Sequence, residues 1–102
     1  MVVVSRKEDI PRSILERLGK SKRLILIEIS KGELGYKKLS KKLGLGLDTI
    51  RSHIRTGKHS TSLFQLDLIL RDQERWIISE LGKKVLELLK QEPEYSAHFY
   101  DK

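Results

Sequence analysis

Tyr36-Lys37-Lys38-Leu39-Ser40-Lys41-Lys42-Leu43-Gly44-Leu45-Gly46-Leu47-Asp48-Thr49-Ile50-Arg51-Ser52-His53-Ile54 is the stretch on which the fold turns. Tyr36, Leu39 and Leu43 recur at i, i+3 and i+7, and Lys37, Lys38, Lys41 and Lys42 take the other face, the pattern of an amphipathic helix. Gly44 is placed to end it, Leu45 is apolar inside the turn, and Gly46 gives a second flexible joint. A new helix follows, with Ile50 and Ile54 at i, i+4 on its inward side. Two helices therefore meet at a very short corner.

Upstream, Asp9 as an N-cap and Pro11 in the first turn open a short helix over 11–18, whose Ile14, Leu15 and Leu18 share a face and which Gly19 stops. Ser21 is placed to cap the next element. The segment Arg23-Leu24-Ile25-Leu26-Ile27-Glu28-Ile29 reads two ways: its β-branched residues suit a strand, its flanking Ser21 and Gly32 a helix buried nearly all round. Downstream of a polar loop, Gly57 to Ser62, the residues Phe64, Leu66, Leu68 and Leu70 alternate with Gln65, Asp67 and Ile69, which predicts a strand. Arg71 to Glu74 then forms a four-residue reversal and Arg75-Trp76-Ile77-Ile78 returns as the second arm of a hairpin, with Trp76 and Ile78 on a common face. Trp76 in that phase is a core residue rather than a platform for stacking bases. Ser79 caps a closing helix whose Leu81, Val85, Leu88 and Leu89 make one core-facing stripe up to Lys90, with Leu86 off the stripe.

The 102 residues have room for one domain. Residues 1–8 read as a flexible N-terminus, 9–90 as the single domain and 91–102 as a C-terminal tail. The longest uninterrupted apolar run, Leu24 to Ile27, falls far short of the ~20 residues of a membrane span, and the first residues lack a signal-peptide pattern, so a cytoplasmic chain is expected. Zero cysteines exclude disulfides, a thiol nucleophile and thiolate metal sites. Residues 1–62 carry 15 Lys+Arg and 6 Asp+Glu, a net of +9, whereas residues 63–102 carry 6 and 8, a net of −2. A basic front with a near-neutral back implies one surface facing a polyanion, nucleic acid or an acidic membrane. No Asn, one Ala and abundant Ile, Lys and Glu is the direction in which growth at high temperature, as in thermophilic archaea, drives composition.

The order helix, helix, tight turn, helix, hairpin, helix resembles the winged helix-turn-helix family of bacterial and archaeal transcriptional regulators. Three pieces carry the likeness, over roughly residues 21–90: Lys31 to Leu45 looks like the supporting helix and turn, Asp48 to Ile54 is similar to the recognition helix, and Trp76 to Glu87 resembles the second strand of the wing running into the closing helix. The fold class implied is mainly α with a small β-hairpin (α+β): a three-helix core plus wing, an extra N-terminal helix and a closing C-terminal helix. The likeness also implies a helix over 21–31. Ser40 becomes the small residue where two helices cross, and Ile50 and Ile54 the core anchors of a recognition helix at about 47–56. Leu47, Asp48, Arg51, Ser52 and Arg55 then face the bases in the major groove, where Arg can bond guanine in bidentate fashion, Ser suits either base type and Leu can touch a thymine methyl. Lys37, Lys38, Lys41, Lys42, Thr49, His53, Lys58, Arg71 and Arg75 fall near the sugar-phosphate backbone, where lysines add salt-dependent affinity. His53, beside an anchor, reads equally as half buried. The family pattern also puts an apolar residue one turn past the last anchor, where this chain has Gly57.

No glycine-rich phosphate loop, His pair at metal spacing or nucleophile elbow occurs, so an enzyme is not expected, nor a cofactor or metal. His98 and Asp101 are the only near-pair of ligand types. The expected partners are double-stranded DNA and a second copy of the chain, with helix 11–18 and Leu86 as the surfaces for that copy, and no membrane; a small-molecule effector is unknown. The function implied is a sequence-specific, nucleoid-associated transcriptional regulator. The alternatives are a winged-helix protein-interaction module in a transcription or replication assembly, and a nonspecific DNA-packing protein.

Overall fold

The computed structural model describes residues 9–32, 35–56, 61–73 and 75–100. Expectations that fall on residues 1–8, Gly57, Lys58, His59, Glu74 and Asp101 lie outside them. The chain is mainly helical, with one small antiparallel sheet: α1 (Asp9–Arg17), α2 (Lys20–Ser30), α3 (Tyr36–Leu43), α4 (Leu47–Arg51), a π turn (Ser52–Thr56), β1 (Ile69–Asp72), β2 (Arg75–Ile78), α5 (Glu80–Lys90), α6 (Pro93–Ser96) and a 3-10 turn (Ala97–Phe99). Among the described residues no helix is long and apolar enough to cross a membrane.

The ambiguous apolar run is helical. Ile25, Leu26, Ile27 and Ile29 of α2 are all buried, because α2 lies in the middle and is wrapped by α3, α5, the hairpin, the π turn and the C-terminal 3-10 turn. Burial on every side is what β-branched residues tolerate in either backbone form, and here packing decides between them. The N-cap of α2 is Gly19, in extended conformation and without a side-chain cap, so the helix is capped two residues before the expected Ser21. Arg23 instead closes the end of α1: its guanidinium donates to the Leu15 and Leu18 carbonyls at 2.9 and 3.1 Å, and pairs with Glu92 at 3.2 Å.

The corner between α3 and α4 has a specific chemistry. Gly44 is left-handed at φ 69°, a value that favours glycine. The amides of Gly44 and Leu45 both donate to the Ser40 carbonyl, at 2.9 and 3.2 Å, and Ser40 Oγ donates to the Leu45 carbonyl. Ser40 thus satisfies the orphan groups of the helix end as well as being small.

The strand expected over 64–70 is shorter and later. Ser62 to Asp67 form tight turns instead, held by Leu66 N to Ser62 O at 3.0 Å and Gln65 N to Ser62 Oγ at 3.2 Å, and Asp67 is left-handed at φ 61°. The kink shifts the phase: Leu63, Leu68 and Ile69 are buried, while Phe64 and Leu70 are exposed at 42% and 44%. Period-two alternation was present in the letters, but the backbone was not extended enough to use it. The two strands pair Ile69 with Ile78, Leu70 with Ile77, Arg71 with Trp76 and Asp72 with Arg75, so they run further into the reversal than Arg71 to Glu74 implied. Trp76 is buried in phase with the partly buried Ile78, as its spacing predicts, and Phe64 meets it edge-on at 5.4 Å.

Ser79 caps α5 as expected, accepting from Gly82 N at 2.9 Å, and its own amide donates to Leu68 O at 3.0 Å. The α5 stripe is wider than predicted: Leu86 is buried along with Val85 and Leu89, and α1 packs directly on α5, with Leu15 and the following Leu18 buried. Residues 91–100, set apart as a tail by the sequence, are structured, with Tyr95 buried, Arg23 5.4 Å above its ring and Lys31 Nζ donating to His98 O at 2.9 Å.

At Gly82 a Cβ would stand 2.2 Å from the Leu68 carbonyl oxygen and 2.9 Å from Ile78, so α5 and the hairpin meet backbone to backbone. Gly82→Ala is expected to lose about 1–3 kcal/mol in urea unfolding. Gly19→Ala, with open space around it and an ordinary φ of −74°, should change stability by less than about 1 kcal/mol.

Candidate nucleic-acid interface

Helical periodicity sorts α4 and the π turn into two sides. Ile50 and Ile54 are both fully buried and anchor the segment, while Asp48, Thr49, Arg51 and Arg55 are exposed and Leu47, Ser52 and His53 are partly buried. The last turn is wide, and its carbonyls are taken by the returning chain: His53 O accepts from Leu63 N at 2.8 Å, Ile54 O from Phe64 N at 3.0 Å, and Arg55 O from Ser62 Oγ at 3.2 Å. Those bonds fix the rotation of the exposed side.

Arg51 does not wave freely. Its guanidinium lies 3.8 Å from Asp48, one turn earlier, and 5.9 Å from the centre of the Tyr36 ring on α3. Both contacts are at the surface and weak, so they orient the group without burying it. Lys37, Lys38 and Arg51 border an open groove floored by Tyr36 and Leu47 where the first turns of α3 and α4 approach each other. Lys41 is exposed on the same helix as Lys37 and Lys38.

Lys42 stands apart from the other three lysines. Its ammonium is 2.8 Å from Glu28, a carboxylate on α2 that is only 4% exposed, and Lys31 approaches the other carboxylate oxygen at 3.5 Å. Lys42 is exposed with its neighbours, as its place in the pattern predicts, and it also neutralises a buried anion and ties α3 to α2. Glu28 was not singled out in the sequence. Its one signal was a charge inside an otherwise apolar helix segment, which a buried position makes costly unless a cation comes to it.

His53 is half buried, and burial together with the nearby ammonium of Lys22 pushes its imidazole below the usual histidine range. Burial also lowers Lys22 itself from the ordinary lysine value. A neutral His53 at pH 7 can donate a hydrogen bond but brings no charge to a phosphate.

On the hairpin, Arg71 covers Trp76 at 5.0 Å and donates to Gln73 O at 3.3 Å, and Arg75 is exposed beside Asp72. Leu47, Asp48, Arg51, Ser52 and Arg55 thus belong to one helical segment, whereas Arg71 and Arg75 sit on a different element. Among the described residues no group of three or more His, Cys, Asp or Glu is placed to hold a metal ion. Comparison with protein-family models, curated proteins and solved structures finds no match to this chain.

Two outcomes are expected. Glu28→Gln should cost about 1–3 kcal/mol in chemical unfolding, since the side-chain size is kept while the charge facing two lysines is lost. Below about pH 6.5 an unfolded histidine takes up a proton that native His53 resists, so the unfolded chain binds more protons and stability falls as pH drops. The melting temperature followed from pH 7.5 to 5 should decrease, and His53→Gln should make that decrease shallower.

Proposed function

We propose that the chain is a winged-helix protein that binds double-stranded DNA with sequence preference and regulates transcription. The observation that carries the reading is the two-sidedness of residues 47–56: Ile50 and Ile54 are fully buried while Asp48, Thr49, Arg51 and Arg55 are exposed, and Lys37 and Lys38 of α3 border one groove with Arg51, with Lys41 exposed on the same helix. A helix that is anchored on one side and cationic on the other fits a major groove, and the flanking lysines suit the phosphates. In this reading Arg51, steered by Tyr36 and Asp48, is the foremost base reader, Arg55 and Ser52 the next. The hairpin is the wing, with Arg71 and Arg75 beside the backbone.

The reading includes a homodimer on a two-fold site: Leu15, Leu18 and Leu86 are buried within the chain, while Ile14 is partly buried and Ile10 of α1 is 53% exposed, so the exposed part of α1 is the surface left for a second copy.

Selecting bound duplexes from a random pool is expected to enrich a defined motif. Arg51→Ala should then lose roughly 1–3 kcal/mol on that motif and little on random DNA. Lys41→Ala should lower the salt dependence of binding by about one unit on any sequence, while Lys42→Ala should reduce stability and leave the salt dependence near its original value. No enrichment together with weak salt dependence would point to the protein-interaction module; equal losses on all sequences would point to DNA packing.

A further inference from the structure

A second concave surface lies outside the α3–α4 groove. Lys83, Leu86, Glu87 and Lys90 fall at i, i+3, i+4 and i+7 on one face of α5, opposite Ser30 and Lys31 at the end of α2, and the C-terminal Phe99 and Tyr100 form a third wall. The cleft holds about 310 Å³. That is at the small end of ligand pockets, which run from ~300 to ~1,000 Å³.

Its chemistry is mixed in an ordered way. Phe99 and Tyr100, the latter 79% exposed, supply the accessible aromatic surface, and Leu86 behind them is buried. Lys31, Lys83, Lys90 and Glu87 are the charged lining side chains, and Lys31 also faces the buried Glu28 carboxylate at 3.5 Å, which leaves Lys83 and Lys90 as the cations for a ligand. Lys31 is held in place by its bond to His98 O at 2.9 Å, and Lys90 stands 5.5 Å from the centre of the Phe99 ring. The carboxylate partners of Lys83 and Lys90, Glu80 and Glu87, are well exposed and on the same helix. Such surface pairs are worth little, so an incoming anion can replace them.

We propose that this cleft binds a small aromatic carboxylate, its ring against Phe99 and Tyr100 and its anion between Lys83 and Lys90. Ammonium groups recognise a carboxylate by charge-assisted hydrogen bonds, and an aromatic wall beside a cation favours a flat apolar body over a bare inorganic ion. The site is independent of DNA binding: nothing in it uses α3 or α4.

The test uses 2-naphthoate as the probe, with 2-naphthamide as its neutral twin, titrated against the full chain by fluorescence and by proton NMR of the aromatic side chains. Saturable one-site binding of the carboxylate is expected, with the amide about tenfold weaker. Shifts should appear at Phe99 and Tyr100 and not at Tyr36. Lys83→Ala and Lys90→Ala should each weaken the carboxylate several-fold, Phe99→Leu should weaken both probes, and Lys41→Ala should change neither; circular dichroism of each variant establishes that it is folded. Absence of saturation at millimolar probe, equal affinity for acid and amide, or a folded Lys83→Ala,Lys90→Ala double variant that binds like the original would overturn the assignment. Because the readout contains no nucleic acid, a failure here leaves the DNA-binding reading standing, and the reverse also holds.

Discussion

The structure depends on a helix that cannot be left in water on any side. In α2 the consecutive residues Ile25, Leu26 and Ile27, with Ile29, are buried, and each large aliphatic side chain removed from solvent contributes about 1.5–3 kcal/mol. No single partner can cover such a rod. It has to be enclosed, and α3, α5, the hairpin, the π turn and the C-terminal turn do so together. The cost of that enclosure is that anything polar on α2 is enclosed as well. Glu28 and Lys22 are the two charged residues caught inside, and both shape the segment that follows: Glu28 holds α3 through Lys42, and Lys22 adds to the burial that pushes His53 below the usual histidine range.

That coupling links the core to the exposed cations. Lys42 is two residues from Ser40, so the α2–α3 ion pair holds the end of α3 from which the corner leads into α4. The other end of the same segment is fixed by a different device, the hydrogen bonds from residues 62–64 to the carbonyls of His53, Ile54 and Arg55. A short helical piece of five α-helical and five π-helical residues has little stability of its own; it is held by tertiary bonds at both ends.

Much of the helical framework was legible because it is written locally. Tyr36, Leu39 and Leu43 mark α3, Gly44 marks its end, Ile50 and Ile54 mark the inner side of α4 and the π turn, and Ser79 announces α5; all four signals act within a turn or two of chain. The strand over 64–70 was misread for a related reason. Its alternation was a local pattern, and the turn that broke it, with Asp67 left-handed, is set by what Leu63 and Leu68 bury against rather than by the order of letters. Arg23 as the closure of α1 and Lys42 as the partner of Glu28 were also invisible, since both need to know which helices are neighbours. The same holds for Leu86, which lies off the narrow stripe of α5 but within reach of the rest of the core.

The backbone contact at Gly82 has an evolutionary corollary. A lone pair of strands is marginal in water, and this one is kept by being pressed against the first turn of α5 with no side chain in between. Position 82 is therefore closed to the gradual enlargement that most buried sites tolerate. A lineage that acquired alanine or serine there would have to re-lay the hairpin at the same time, so drift at this position should be coupled to the geometry of Leu68 and Ile78 and not proceed alone.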